Sequence, residues 1–312
     1  MRLRIGVSQC LLGDNVRYDG GHKHDAFLTH TLGPFVEYVT VCPELEVGMG
    51  VPREAIHIER AGRSLALVGV KSGTDHTAAM KRFAKAKVAA LKVLDLDGYV
   101  LKSKSPSCGM ERVPVHGQDG SAEKVGTGFF ARALLDGYEH LPVEEEGRLR
   151  DARLRENFIE RVFGFRRVKE LFQRDWRVGD LVKFHTREKL LLLAHEPKAY
   201  TALGRLVAGA RKSEALAAEY MELFMKALAK PATPARHVNV LQHMAGYFKK
   251  QLDADQKAEL KQVIEDFGAG LVPLVVPVTL LKHHVRRFKV SYLAEQIYLE
   301  PHPKELMLRN HV

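Results

Sequence analysis

The chain has 312 residues, 46% of them hydrophobic and 28% charged, values that fit one or two globular domains and exclude a low-complexity or disordered protein. Its net charge of +10 is uneven: residues 1–150 carry 20 Lys and Arg against 19 Asp and Glu, and residues 151–312 carry 28 against 19. No apolar run approaches the roughly 20 residues of a membrane helix, and the N-terminus lacks the apolar core and cleavage site of a signal peptide. A cytoplasmic protein with no membrane contact is therefore expected.

In chain order, residues 3–8 read as a short alternating strand, and 36–42 and 64–70 read likewise from their β-branched and apolar content. Residues 75–94 carry apolar side chains at helical spacing (Met80, Phe83, Ala84, Val88, Leu91). A strand over 98–102 and a helix over 128–136 follow. This alternation predicts an α/β N-terminal domain, a mostly parallel sheet with flanking helices. The composition shifts at Pro142-Val-Glu-Glu-Glu-Gly147, which reads as a boundary. Beyond it, 151–172, 180–196, 198–210, 212–229, 235–250, 254–268 and 273–287 read as helices punctuated by Pro197, Pro231, Pro234 and Pro273. An all-α C-terminal domain is predicted. The expected division is 1–145, a linker helix region over 146–172, and a basic helical domain over 173–312.

Three widely separated cysteines exclude a secreted disulfide scaffold. Each lies just past a predicted strand end: Cys10, Cys42, and Cys108 in the loop Ser103-Lys-Ser-Pro-Ser-Cys-Gly109. The carboxyl ends of parallel strands form the crevice where sites assemble, so the thiols are expected to converge. Plain burial is the alternative, yet all three sit among turn-forming residues and none lies mid-strand. A lone catalytic cysteine has no evident base nearby. Zinc is an alternative whose usual close ligand pairs are absent. An iron–sulfur cluster accepts thiolates from dispersed loops, and a cubane with three protein ligands leaves one iron open as a Lewis acid.

Polar residues crowd the same loops. Glu44, two residues after Cys42, is a candidate general acid or base, with salt-bridging or helix-capping as its alternative role. Ser103, Ser105 and Ser107 precede Cys108, where turn-capping is their alternative. Asp14, Arg17, Tyr18 and Asp19 follow Cys10. Asp14, Tyr18, Asp19 and Ser107 are read as substrate contacts.

The segments Ser8-Gln-Cys-Leu-Leu-Gly13, Arg17-Tyr-Asp-Gly20, Val41-Cys-Pro-Glu44, Pro52-Arg53, Gly73-Thr-Asp75 and Leu101-Lys-Ser-Lys-Ser-Pro-Ser-Cys-Gly109 resemble, in this order, the thiouracil desulfidase family over residues 1 to about 140. The resemblance implies a 4Fe–4S cluster on Cys10, Cys42 and Cys108, whose free iron takes the substrate's sulfur. It also implies an essential carboxylate at Glu44 and an essential serine, Ser105 first and Ser103 second. Val16 stands where relatives often have a cysteine, which leaves three thiolates.

Residues from about 173 to 310 resemble a second, helical family often fused to the first, through Leu181-Val-Lys-Phe-His-Thr-Arg187, Lys189, His237-Val-Asn-Val-Leu-Gln-His-Met-Ala-Gly-Tyr-Phe248 and Pro277-Val-Thr-Leu-Leu-Lys-His-His284. The fused architecture resembles that of tRNA 4-thiouridine desulfidases, implying hydrolysis of thiolated uridine to uridine and sulfide, with tRNA brought by the helical domain. The excess of +9 in that half fits a polyanion independently. Three clusters suit phosphate contact: Lys183, His185, Arg187 and Lys189; Lys249 and Lys250 with Tyr247 and Phe248; and Lys282, His283 and His284 with Arg286 and Arg287. Solvated helix faces are the alternative. His237 and His243 do not share a face suited to a metal, and Tyr292 and Tyr298 read as packing. The competing functions are desulfidation of small thiolated pyrimidines such as free thiouracil, and a non-catalytic iron–sulfur sensor. The oligomeric state is left open.

Overall fold

The computed structural model describes residues 2–117 and 119–311. It divides into two compact units, Met1–Arg150 and Asp151–Val312. In the first unit the chain runs through β1 (Leu3–Ser8), β2 (Val36–Val41), the single turn α1 (Pro43–Glu46), β3 (Ile56–Ala61), β4 (Ser64–Gly69), α2 (Thr77–Val93), β5 (Gly98–Leu101), β6 (Val113–His116), β7 (Ala122–Gly126), α3 (Phe129–Gly137) and β8 (Val143–Glu145).

One sheet has the order β2-β1-β5-β8 and is parallel throughout, as expected. Ile5, Val7, Val41, Val100 and Leu101 are fully or almost fully buried in it. The register sets Ser8 opposite Val41 and Val7 opposite Val100, so three neighbouring strands end at one edge. Gly6 is required by packing, because a Cβ there would come within 2.1 Å of the buried Tyr99 ring.

A second sheet, β4-β3-β6-β7, was not foreseen. Its β3–β4 and β6–β7 pairs are antiparallel and its β3–β6 pair is parallel. The strand over 64–70 belongs here rather than to the parallel sheet. Ile58, Leu67, Met80, Val113 and Val115 form the core beneath it. The expected boundary at 142–147 is also corrected. Val143–Glu145 is the edge strand of the parallel sheet, and Glu144, Glu145 and Glu146 are all buried.

The second unit is all-helical: α4 (Ala152–Gln173), α5 (Val178–His195), α6 (Pro197–Ala208), α7 (Glu214–Leu228), α8 (Pro234–Ala245), α9 (Ala254–Gly268), α10 (Val275–Phe288) and the short α11 (Ser291–Ala294). The linker expected over 146–172 is corrected. Helix α4 starts on an Asp151 cap, whose carboxylate accepts the amides of Arg153 and Leu154, and it buries Phe158, Ile159, Val162, Phe165 and Val168 within this unit. Those apolar positions repeat at helical spacing, which a free linker would not need. Among the described residues, no helix is long and apolar enough to cross a membrane.

Candidate active site

The three cysteines stand where the parallel strands end. Cys10 lies in the 3-10 turn Gln9–Leu12 after β1, and Cys42 caps α1 after β2. Cys108 sits in the loop after β5. All three line one cavity of about 400 Å³ with Ser8, Val16, Arg17, Tyr18, Lys23, Glu44, Arg53, Lys102, Ser103, Lys104 and Ser105.

The Cys108 loop is fastened from several sides. Ser105 Oγ accepts the amides of Ser107 (3.2 Å) and Cys108 (3.1 Å), and the Gly109 amide bonds the Ser105 carbonyl at 2.8 Å. The first amides of α3 (Phe129, Phe130 and Ala131), which have no partner inside the helix, donate to the carbonyls of Pro106 and Ser107 at 3.0–3.1 Å. Gly128 allows this approach, since a Cβ would lie 2.5 Å from the Ser107 backbone. The acidic run closes the other side: Glu145 Oε1 accepts the Met110 amide at 2.7 Å, and Glu146 Oε2 accepts the Ser103 amide at 2.7 Å.

Burial governs the thiols. It pushes Cys10 up to about 11, with Cys42 adding to the effect, and it raises Cys42 and, further still, Cys108. Such thiols are protonated at neutral pH, which does not suit a free thiolate nucleophile. Among the described residues no histidine lines the cavity to act as a base toward sulfur. The room exceeds that of one ion, about 400 Å³ against roughly 30 Å³ for a water molecule.

Glu44 faces the same space with a defined orientation. Its Oε2 accepts Arg53 Nη2 at 2.7 Å and Nε at 3.1 Å, and its Oε1 accepts Ser107 Oγ at 3.0 Å. Arg53 is itself held by the carbonyls of Val16 and Gly50. On the other side Lys102 Nζ donates to Glu146 Oε1 at 2.6 Å and to Ser103 Oγ at 3.1 Å. Burial opposes the charge on Glu146, but Lys102 and the Ser103 amide and hydroxyl hold its carboxyl below the usual range. Ser103 also donates to Glu146 at 2.8 Å, so its hydroxyl is already engaged.

The structure thus gathers Cys10, Cys42, Cys108, Glu44, Tyr18, Ser103 and Ser105 around the cavity, with the buried Ser107 behind Glu44. Asp14 and Asp19 lie elsewhere: Asp14 accepts from Gln9, and Asp19 pairs with Arg17. Residues not singled out for the site, Ser8, Arg53, Lys102 and Glu146, order it. Arg53 and Lys102 were visible inside motifs, but their pairing with Glu44 and Glu146, 9 and 44 positions away, was not.

In the second unit the predicted basic residues separate. Lys183 and Arg187 are exposed one helical turn apart and line a cavity with Arg167 and Arg174. His185 is corrected: two positions from Lys183 it turns inward, is buried, and bonds Tyr220 Oη at 3.1 Å. His284 is corrected likewise, buried against Phe248 and Phe288. Lys282 is paired with Glu300. Lys249, Lys250, Arg286 and Arg287 are exposed, and Lys189 lies over the Tyr292 ring at 4.8 Å.

Comparison with known proteins supports this division. Residues 5–146 match the family described as 2-thiouracil desulfurase, and residues 189–303 match a protein family of unknown function, DUF1722. The uncharacterized protein YbgA of Escherichia coli (strain K12) is 31% identical over 153 residues, 48% of this chain and 90% of that protein. The uncharacterized protein YbbK of Bacillus subtilis (strain 168) is 33% identical over 110 residues, 34% of this chain and 72% of that protein. Among solved structures, the 4Fe-4S-dependent thiouracil desulfidase TudS is 30% identical, with 48% of this chain and 95% of that chain covered and a TM-score of 0.40.

Proposed function

The chain belongs to the 2-thiouracil desulfurase family, and from that premise we propose that it removes sulfur hydrolytically from 4-thiouridine in tRNA. The observation that carries this reading is the meeting of three desolvated thiols with an oriented carboxylate, Glu44, in one cavity. The donor set suits a 4Fe–4S cluster, which Cys10, Cys42 and Cys108 would hold, and Lys102 and Arg17 would favour the thiolate form of Cys10 as a ligand. When bound, the cluster supplies an iron without a protein ligand, a Lewis acid for the thiocarbonyl sulfur.

The chain's own groups supply the rest. Arg53 fixes Glu44 through Oε2, which leaves Oε1, with one bond from Ser107, to take a proton from the attacking water. Ser105 accepts two amides through its oxygen, and its hydroxyl proton is available to steady the base. Water's oxygen bonds to C4 and the C–S bond breaks. The base regains a carbonyl, and sulfur leaves with water's two protons as hydrogen sulfide, with no electron transferred.

Two features favour a phosphate-bearing substrate over a free base. Lys23 and Lys104 line the cavity, are exposed, and make no ion pair among the described residues. The second unit carries the excess of +9. Reaching a base in folded RNA costs a few kcal/mol of unstacking, which phosphate contacts can offset. The second reading, turnover of free thiouracil, draws on a cavity volume within the ordinary small-ligand range of roughly 300–1,000 Å³.

The test is anaerobic. The protein is reconstituted with iron and sulfide, mixed with tRNA containing 4-thiouridine, and followed by the near-ultraviolet absorbance of the thiolated base, with Cys108→Ala as control. Loss of absorbance with sulfide release only in the wild type is expected. Turnover of free thiouracil without turnover of tRNA would select the second reading. Failure of both with the cluster bound would leave a sensor.

A further inference from the structure

We propose that Tyr247 is a stacking platform for an unpaired RNA base, formed by the second unit outside its packed core. Tyr247 sits in the 3-10 turn Gly246–Phe248 after α8. Its neighbour Phe248 is fully buried, whereas Tyr247 is 40% exposed. The Tyr247 ring is stacked on Tyr292, with centroids 5.2 Å apart and planes 21° from parallel. Lys189 Nζ lies 4.8 Å from the centre of the Tyr292 ring. His243, also exposed, stands perpendicular to Tyr247 at 5.8 Å and borders it.

This pair is unlike the fully buried tyrosines of the unit. Tyr220 and Tyr298 are fully buried and bond His185 and His237 through their hydroxyls. Tyr247 instead presents a ring held rigid from behind by Tyr292, so little conformational freedom is lost when something covers it. Lys249 and Lys250 follow at once, exposed, and form no ion pair among the described residues. An aromatic face beside free ammonium groups is how proteins hold single-stranded nucleic acid: every base has a face to stack, and the adjoining phosphate meets the cation. The +9 of this half selects a polyanion over an apolar partner.

The platform rests on the tRNA reading above, and the experiment separates the two. Equilibrium binding of tRNA containing 4-thiouridine is measured for the full-length wild type and for Tyr247→Leu, Tyr247→Phe and Tyr247→Trp, together with its salt dependence. Tyr247→Leu is expected to bind about 5- to 150-fold more weakly with an unchanged salt slope, since stacking and no phosphate contact is lost. Tyr247→Phe and Tyr247→Trp retain the ring and are expected to bind as the wild type does. Turnover of free thiouracil stays unchanged in all three. Equal binding by Tyr247→Leu, or weakening by Tyr247→Trp as large as by Tyr247→Leu, would overturn the platform while leaving the tRNA reading intact. Absence of tRNA binding by the wild type would overturn both.

Discussion

In the first unit Glu44, Ser105 and the three cysteines face a cavity and keep bonding capacity to spare, whereas in the second unit Glu156, Glu160, His195 and Arg309 use theirs on one another. Arg309 Nη2 donates to Glu160 at 2.8 Å, Arg309 Nε donates to Glu156 at 3.2 Å, and His195 Nε2 lies 3.0 Å from Glu160. Burial works against the charge on Glu160, but His195 and Arg309 hold its carboxyl far below the usual range. Glu156 and Glu160 bring donor atoms within 4.8 Å of a His302 nitrogen, yet the guanidinium already supplies their counter-charge. Buried charge in the second unit is therefore architecture, whereas in the first unit polar groups line the cavity of the proposed site.

The largest effect that tests this contrast is loss of a ligand. Cys108→Ala is expected to abolish cluster binding, read as iron and sulfide content and visible absorbance, and with it all turnover. Glu44→Gln should retain the cluster and lower kcat by about 10²–10⁴. Near-normal turnover would remove Glu44 from the proton transfer. Arg309→Met leaves two buried carboxylates without their cation and should cost the second unit about 3–5 kcal/mol, measured by urea denaturation of the full chain, with thiouracil turnover unaltered below the transition.

A smaller effect follows from the buried histidines. Burial, then Lys189, lowers His185 to about 4, and burial, then Arg309, lowers His237 to about 3. Both are neutral in the fold, while their unfolded counterparts bind protons below about 6.5. The unfolded state thus holds more protons, and stability complete above that value falls as pH drops toward 4 and then 3. Each histidine contributes at most about 1.4 kcal/mol per pH unit. His185→Gln should flatten its share of the slope in thermal melts. The smallest effect concerns the outer surface: Lys183→Ala should reduce the salt slope of tRNA binding by about 0.7–0.9.

Much of this molecule could be read along the chain. The seven long helices of the second unit announced themselves by apolar spacing and by punctuating prolines, which are local signals. Three of the four strands of the second sheet did not. Ile56–Ala61, Val113–His116 and Ala122–Gly126 are short and interrupted by charge, proline or glycine, and the β3–β6 pairing that joins their two hairpins is remote in sequence. His185 was misread because charge on its helix neighbours suggests a wet face, while a two-residue step turns it into the core.

By itself the sequence determined an α/β half followed by a basic helical half, and three cysteines placed beyond strand ends, because periodicity, turn residues and charge are properties of neighbouring positions. Only the tertiary structure decided that Glu145 and Glu146, which read as a boundary, instead clamp the Cys108 loop, that Arg53 orients Glu44, and that Tyr247 stacks on Tyr292. Each of these depends on which residues meet across 9 to 45 positions of chain, and that is set by sheet register and helix packing, which no local pattern encodes.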